Sequence, residues 1–281
     1  MHSPMFSLEV FPPRRTAPVG TIYDTLDGLH GMHPDFISVT YGTGKQSDRT
    51  ATARIAHTIR TEYGIPAVAH LTARNSDKAT IDHELDLFEE AGVRATLALR
   101  GDAQLGTDPC GEFAYASDLV RYIRERKPNM AVYAACYPEC HPEAPNLDAD
   151  IANLKIKVDA GANHLISQLF FDNEDYLKFL DKVRDAGITV PIEAGIMPVT
   201  NASRVKHMVS MCGSRIPSTV EHMIERWGDD PSAMQEAGII YASAQISDLV
   251  ARGVDGIHLY TMNKAVTTRR IWDNVQALFN A

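Results

Sequence analysis

The chain has 281 residues, 44% of them hydrophobic, with 36 acidic against 27 basic side chains and a formal net charge of −9. That supplies one large core and excludes disordered, collagen-like and coiled-coil classes. The basic residues are dispersed among acids, which excludes a nucleic-acid footprint, and no apolar run reaches the roughly 20 residues of a membrane-spanning helix.

The first residues, Met1 to Val10, lack the basic start and apolar stretch of a secretory signal, so the expected location is the cytoplasm. Cys110, Cys136, Cys140 and Cys212 are too sparse for a disulfide framework. Cys136, Cys140 and His141 form a C-x-x-x-C-H run with no second pair, so no metal site is expected.

In chain order, Met5–Phe11 reads as a first strand, followed by a helix over Thr21–Met32. Phe36–Tyr41 is the second strand, Asp48–Tyr63 a helix, and Ala67–Thr72 the third strand. A helix over Ser76–Ala91 has Ser76 as expected N-cap and Gly92 just past its end; Ile81, Leu85 and Phe88 recur at helical spacing. Ala95–Leu99 and Ala131–Cys136 are strands four and five, each followed by a helix, the second over Leu147–Ala160 and closed by Gly161. Strands six to eight fall at His164–Phe170, Val190–Ile196 and Gly256–Tyr260. The stretch 201–252 has room for two or three helices with breaks at Pro217 and Pro231, and Asn263 opens a last helix.

Eight strands alternating with helices predict an α/β fold, a (β/α)8 TIM-type barrel forming a single domain over residues 1–281. The open doubly wound sheet is disfavoured, because Tyr41-Gly42-Thr43-Gly44 lacks the third glycine and helix start of a dinucleotide fingerprint.

Such a barrel carries its chemistry at the carboxyl ends of its strands. Those ends are unusually polar here: Glu9, Thr40 and Tyr41, His70, Arg100-Gly101-Asp102, Tyr137-Pro138-Glu139, Gln168, and Tyr260 with Asn263 and Lys264. Any one has an ordinary structural reading, as an ion pair, a core histidine or a rim salt bridge. All on one face point to an enzyme. Glu9, near the barrel axis, is partly desolvated and suits a general acid. Arg100 and Lys157 offer positive charge to a phosphate, and Gln168 both donates and accepts at the edge of a heterocycle.

The residues resemble one family closely, the methylenetetrahydrofolate reductases of bacterial type. The stretches that carry the likeness include SLEVFPPR (7–14), FISVTYG (36–42), AHLT (69–72), LRGD (99–102), YASDLV (115–120), YPECHPEA (137–144), DIANLKIK (150–157), KVDAGAN (157–163), QLFFD (168–172), GIMPV (195–199) and LYTMN (259–263). They run in family order over almost the whole chain.

The resemblance implies a barrel that binds FAD, takes hydride from NADH or NADPH, and reduces 5,10-methylenetetrahydrofolate in a ping-pong cycle. It implies Glu9 as proton donor and Asp102 beside flavin and pterin as the catalytic pair. FAD contacts are implied at Tyr41, Thr43, His70, Arg100, Gly101, Asp102, Ala116, Tyr137, His141, Ala144, Asp150, Asn153 and Lys157. Substrate contacts are implied at Thr40, Asp102, Gln168, Met208 and Lys264. A homo-oligomer is expected, and some short family members work with a cysteine-rich or electron-transfer partner protein.

The chain also departs from the pattern. The loop after Tyr41 is one residue shorter than in bacterial relatives, which bears on Thr43. Met208 stands where an aromatic covers the pocket, Lys264 where arginine is frequent, and Ile156 where a basic residue neighbours the diphosphate. No regulatory segment follows the barrel, so control by S-adenosylmethionine is not expected. A flavin-free lyase or aldolase would need a Schiff-base lysine at a strand end, for which Lys264 is the one candidate.

Overall fold

Apolar runs form strands and amphipathic runs form helices in alternation along the chain. In this computed structural model residues 3–13, 20–41, 50–101 and 111–279 are described. The order is β1 (Met5–Val10), α1 (Gly20–Leu29), β2 (Phe36–Val39), α2 (Thr50–Thr61), β3 (Ala67–Thr72), α3 (Lys78–Glu90), β4 (Ala95–Leu99), α4 (Ala116–Arg126) and β5 (Ala131–Cys136). It continues with α5 (Leu147–Asp159), β6 (His164–Ser167), α6 (Asn173–Asp185), β7 (Ile192–Ile196), α7 (Ala202–Cys212), α8 (Ser218–Trp227), α9 (Pro231–Ala251), β8 (Gly256–Tyr260) and α10 (Ala265–Val275). The strands close into a barrel in the order β1 to β8, the expected (β/α)8 fold. Among the described residues no helix is long and apolar enough to cross a membrane.

Of the boundaries that differ from the expectation, four have local reasons. Asp77, not Ser76, caps α3, accepting from Thr80 N at 2.8 Å, while Ser76 Oγ donates to Thr72 O. β2 stops at Val39, although Thr40 N still donates to Val10 O at 3.0 Å. β6 stops at Ser167, because Gln168 turns its own side chain onto the next backbone N–H. The buried Phe170 and Phe171 beyond it serve the core, not a ladder. β7 begins at Ile192 because Pro191 has no N–H to donate. Pro217 and Pro231 do mark breaks, as the N-cap of α8 and the first residue of α9.

The chain divides into two compact units, one made of Ser7–Ala135 with Lys155–Leu165, the other of Met1–Phe6, Cys136–Leu154 and Ile166–Ala281. In the first, Phe36 of β2 meets Tyr133 of β5 with ring centroids 5.5 Å apart, and Tyr133 stacks on His164 at 4.2 Å. β2 and β5 are not neighbours, so this face points into the barrel. Register then fixes what else points inward, because residues paired across parallel strands share a face. Ser7 pairs with Phe36 and Glu9 with Ser38; Ser38 pairs with Val68, and His70 with Leu97, which itself pairs with Tyr133. Glu9 and His70 therefore face the interior.

In the second unit, Tyr260 of β8 reaches Ser167 of β6 on the interior side of β7. Register pairs Gly195 with His258 and Glu193 with Gly256, so Glu193, His258 and Tyr260 point inward too. Phe6 stacks on Trp272 at 4.4 Å and beside Phe279, tying the start of β1 to α10 and the turn after it.

Candidate active site

Glu9 ends β1 on the inward face and His70 sits on β3 at the same level, with His70 Nε2 3.6 Å from Glu9 Oε2. His70 is buried, while the Glu9 side chain keeps 18% of its surface exposed. An acid with one edge open to solvent and the other against a buried imidazole can receive a proton and pass it to a ligand in the barrel mouth. Thr40 lies one residue past β2, its carbonyl accepting from Thr52 Oγ1 at 3.0 Å. Tyr41, next along, alternates to the helix side and its hydroxyl meets Glu84 Oε1 at 3.3 Å.

Beyond β3 and β4 the ladder runs on: Ala73 N donates to Leu99 O and Arg74 N to Arg100 O, both at 2.9 Å. Gly101 follows with φ +87°, a left-handed conformation that suits glycine. A Cβ there would sit 3.1 Å from Arg74 Cβ. Ala116 opens α4, whose preceding Tyr115 N donates to Asp118 Oδ2 at 3.0 Å. Lys157 Nζ donates to the Ala135 carbonyl at 2.5 Å. Thr43 and Asp102 lie outside the described residues.

The loop after β5 builds itself from the residues singled out in the sequence. His141 N donates to Asp150 Oδ2 at 2.8 Å, Ala144 N to His141 O at 2.9 Å, and the Tyr137 ring meets the His141 ring edge-on at 4.6 Å. Tyr137, His141, Ala144 and Asp150 are thus one local structure. Cys140 in its middle has φ +90°, and burial, aided by the Asp150 charge, pushes its thiol up. Glu139 anchors the loop, accepting from Arg215 N at 2.9 Å. Its Oε2 is buried without a hydrogen-bond partner, and burial pushes its carboxyl above the usual range. Asn153 and the apolar Ile156 are exposed on α5.

Gln168 is held at both ends: its N donates to Cys136 O at 2.7 Å and its Oε1 accepts from Leu169 N at 2.8 Å. Met208 packs on a cluster that includes Leu169, Phe171, Met197 and Val199. Lys264 is the N-cap residue of α10 and follows two residues of positive φ, Met262 and Asn263.

Two kinds of residue escape a reading confined to strand ends. Glu193 and His258, fully buried inside β7 and β8, approach to 3.9 Å; polar residues at alternate positions in otherwise apolar strands are their only sequence signal. Arg74, two residues beyond β3, lies past the end of the AHLT stretch and carries no such signal.

The sequence model of the family described as methylenetetrahydrofolate reductase matches residues 1–276. The 5,10-methylenetetrahydrofolate reductase of Pectobacterium carotovorum subsp. carotovorum is 37% identical over 260 residues, covering 92% of this chain and 86% of that protein. The enzyme of the same name from Escherichia coli is 38% identical over 259 residues, with the same coverage. Among solved structures, a Clostridium thermocellum protein that binds two copies of 5-methyl-5,6,7,8-tetrahydrofolic acid superposes with a TM-score of 0.67. It covers 99% of this chain and 95% of its own at 14% identity, which speaks for the barrel fold alone. With the family motifs running the length of a closed (β/α)8 barrel, the chain belongs to the methylenetetrahydrofolate reductase family.

Proposed function

We propose that this protein, acting as one catalytic domain, reduces 5,10-methylenetetrahydrofolate to 5-methyltetrahydrofolate with FAD bound and NADH or NADPH as donor. Both substrates use one pocket in turn. The observation that carries the reading is Glu9, facing the barrel interior at the end of β1 against buried His70.

The residues present fit a flavin dinucleotide. Among the described residues Arg74 has a buried Nε–H without an acceptor, and the Tyr137–Asp150 loop is already built. His70, Arg100, Gly101, Ala116, Tyr137, His141, Ala144, Asp150, Asn153 and Lys157 are the proposed holders. FAD, once bound, supplies the hydride chemistry; the chain supplies position and proton handling.

Glu9 gives its proton to N10 of the folate as the bond from N10 to the bridging carbon breaks. That leaves a 5-iminium carbon able to accept hydride. Gln168, its Oε1 committed to Leu169 N, offers its amide NH2 to a ring acceptor. Thr40, Met208 and Lys264 border the folate, Lys264 as a single point charge for a carboxylate.

The test is the visible spectrum of the purified chain, recorded without air before and after NADH or NADPH. A flavin spectrum that bleaches and then recovers on adding methylenetetrahydrofolate supports the reading and identifies the donor. Protein that cannot be loaded with FAD overturns it.

A further inference from the structure

Among the described residues the buried Nε–H of Arg74 meets no acceptor. A guanidinium stays charged at any pH the protein meets, and a buried N–H with no acceptor is destabilising. Its Nε–H is in that position. Other arginines of the same unit find acceptors, Arg126 in Asp82 at 2.8 Å, Arg60 in the Ala91 carbonyl at 2.8 Å and Arg124 in the Met130 carbonyl at 3.0 Å. Arg74, half-buried in a chain of net charge −9, has no such acceptor for its Nε–H among the described residues.

Its placement says what would answer it. Arg74 N donates to Arg100 O, which continues the β3–β4 register past Thr72 and Leu99 and sets Arg74 opposite Gly101 where the two strands run out. A guanidinium N–H left without an acceptor at the strand ends is stabilised by an anion that reaches it. The backbone at Gly101, left-handed and without a Cβ, packs directly against Arg74 and Thr72. This is the carboxyl end of the strands, where a (β/α)8 barrel binds its ligands. The overall negative field repels anions, so a phosphate arriving here needs local cations.

We infer that Arg74 is a phosphate-binding residue, taking a phosphate of a dinucleotide at the strand ends beside Gly101. The inference rests on the proposed function, because the flavin and nicotinamide dinucleotides are the phosphate sources it names: the FAD diphosphate or the 2′-phosphate of NADPH. A planar guanidinium grips two phosphate oxygens at once, which an ammonium cannot.

Flavin-free protein is titrated with FAD and with riboflavin, which has no phosphate, for wild type, Arg74→Met and Arg74→Lys. If the phosphate is that of FAD, Arg74→Met raises the Kd for FAD about tenfold or more, Arg74→Lys restores part of it, and riboflavin binds all three alike. If it is the 2′-phosphate, FAD affinity holds and Arg74→Met loses reduction by NADPH selectively over NADH. Unchanged FAD affinity together with an unchanged NADPH-to-NADH ratio overturns the assignment alone. Wild-type protein that takes up neither flavin overturns the flavin reading, and the assignment with it. Equal riboflavin binding also shows that the variants are folded.

Discussion

The Tyr260 hydroxyl donates to the Ser167 carbonyl at 2.7 Å, reaching from β8 to β6 over Gly195 of β7. A Cβ at residue 195 would lie 2.2 Å from Ser167 O and 2.8 Å from Tyr260 Oη. Glycine is therefore a requirement of the bridge, and the bridge holds the strand end immediately before Gln168. Gly195 N in turn donates to Ser167 Oγ at 2.9 Å.

Gly195→Ala should accordingly destabilise the fold by about 1–3 kcal/mol, since a backbone carbonyl cannot swing aside as a side chain can. Urea unfolding of the two proteins measures it. An alanine variant as stable as the parent would show that β6 and β8 yield without cost, and that the bridge holds nothing.

Glu9→Gln tests the acid. The amide keeps the shape and a hydrogen-bonding edge toward His70 but has no proton to give. Reduction of bound flavin by NAD(P)H is expected to continue at the parental rate, while transfer to methylenetetrahydrofolate falls by about 10²–10⁴. Stopped-flow measurement of each half-reaction separates the two. A variant with normal folate transfer removes Glu9 from the proton path.

The fold was legible because its signal is periodic. The strands at 67–72, 95–99, 131–136 and 256–260 have the expected bounds. The errors lie where a side chain competes with the backbone: Asp77 against Ser76 for a cap, and Gln168 turning the chain off its ladder. The site was legible at strand ends, where one polar residue breaks an apolar run, as at Glu9 and His70. It was not legible at Arg74, whose Nε–H meets no acceptor among the described residues only once the chain is folded, nor at Glu193 and His258, whose meeting depends on register.

Cys140 carries positive φ in the middle of the YPECHPEA loop. A side chain held there costs roughly 1–2 kcal/mol. Cys140→Gly removes that strain but adds freedom to the unfolded chain worth about 0.4–1 kcal/mol. The thiol donates only weakly in return, to His141 O at 3.5 Å and Ala144 O at 3.8 Å. A net gain of up to about 1 kcal/mol is expected by thermal or urea unfolding. A clear loss of stability would mean that those two sulfur interactions outweigh the strain.

Glu139 makes stability depend on pH in a direction opposite to most carboxylates. Burial holds its carboxyl above the ordinary range; the Arg215 backbone N–H pulls the other way and the Asp175 charge pushes with burial. A group that binds its proton more tightly when folded contributes stability that is full below the ordinary carboxyl range. The contribution is lost as pH rises through the raised value. Glu139→Gln keeps an oxygen for Arg215 N and stays neutral throughout, so it serves as the reference. As pH rises from about 4, the ordinary glutamate range, through the raised value, the stability of the parent relative to this variant should fall. Urea unfolding of both proteins at several pH values across that range gives the difference directly. The buried, unpartnered Oε2 explains the sign: once ionised it has no donor to meet, whereas the protonated group or the amide leaves no charge there. A relative stability that instead rises with pH would mean that the ion pair with Arg215, at 3.3 Å from Nε, outweighs desolvation.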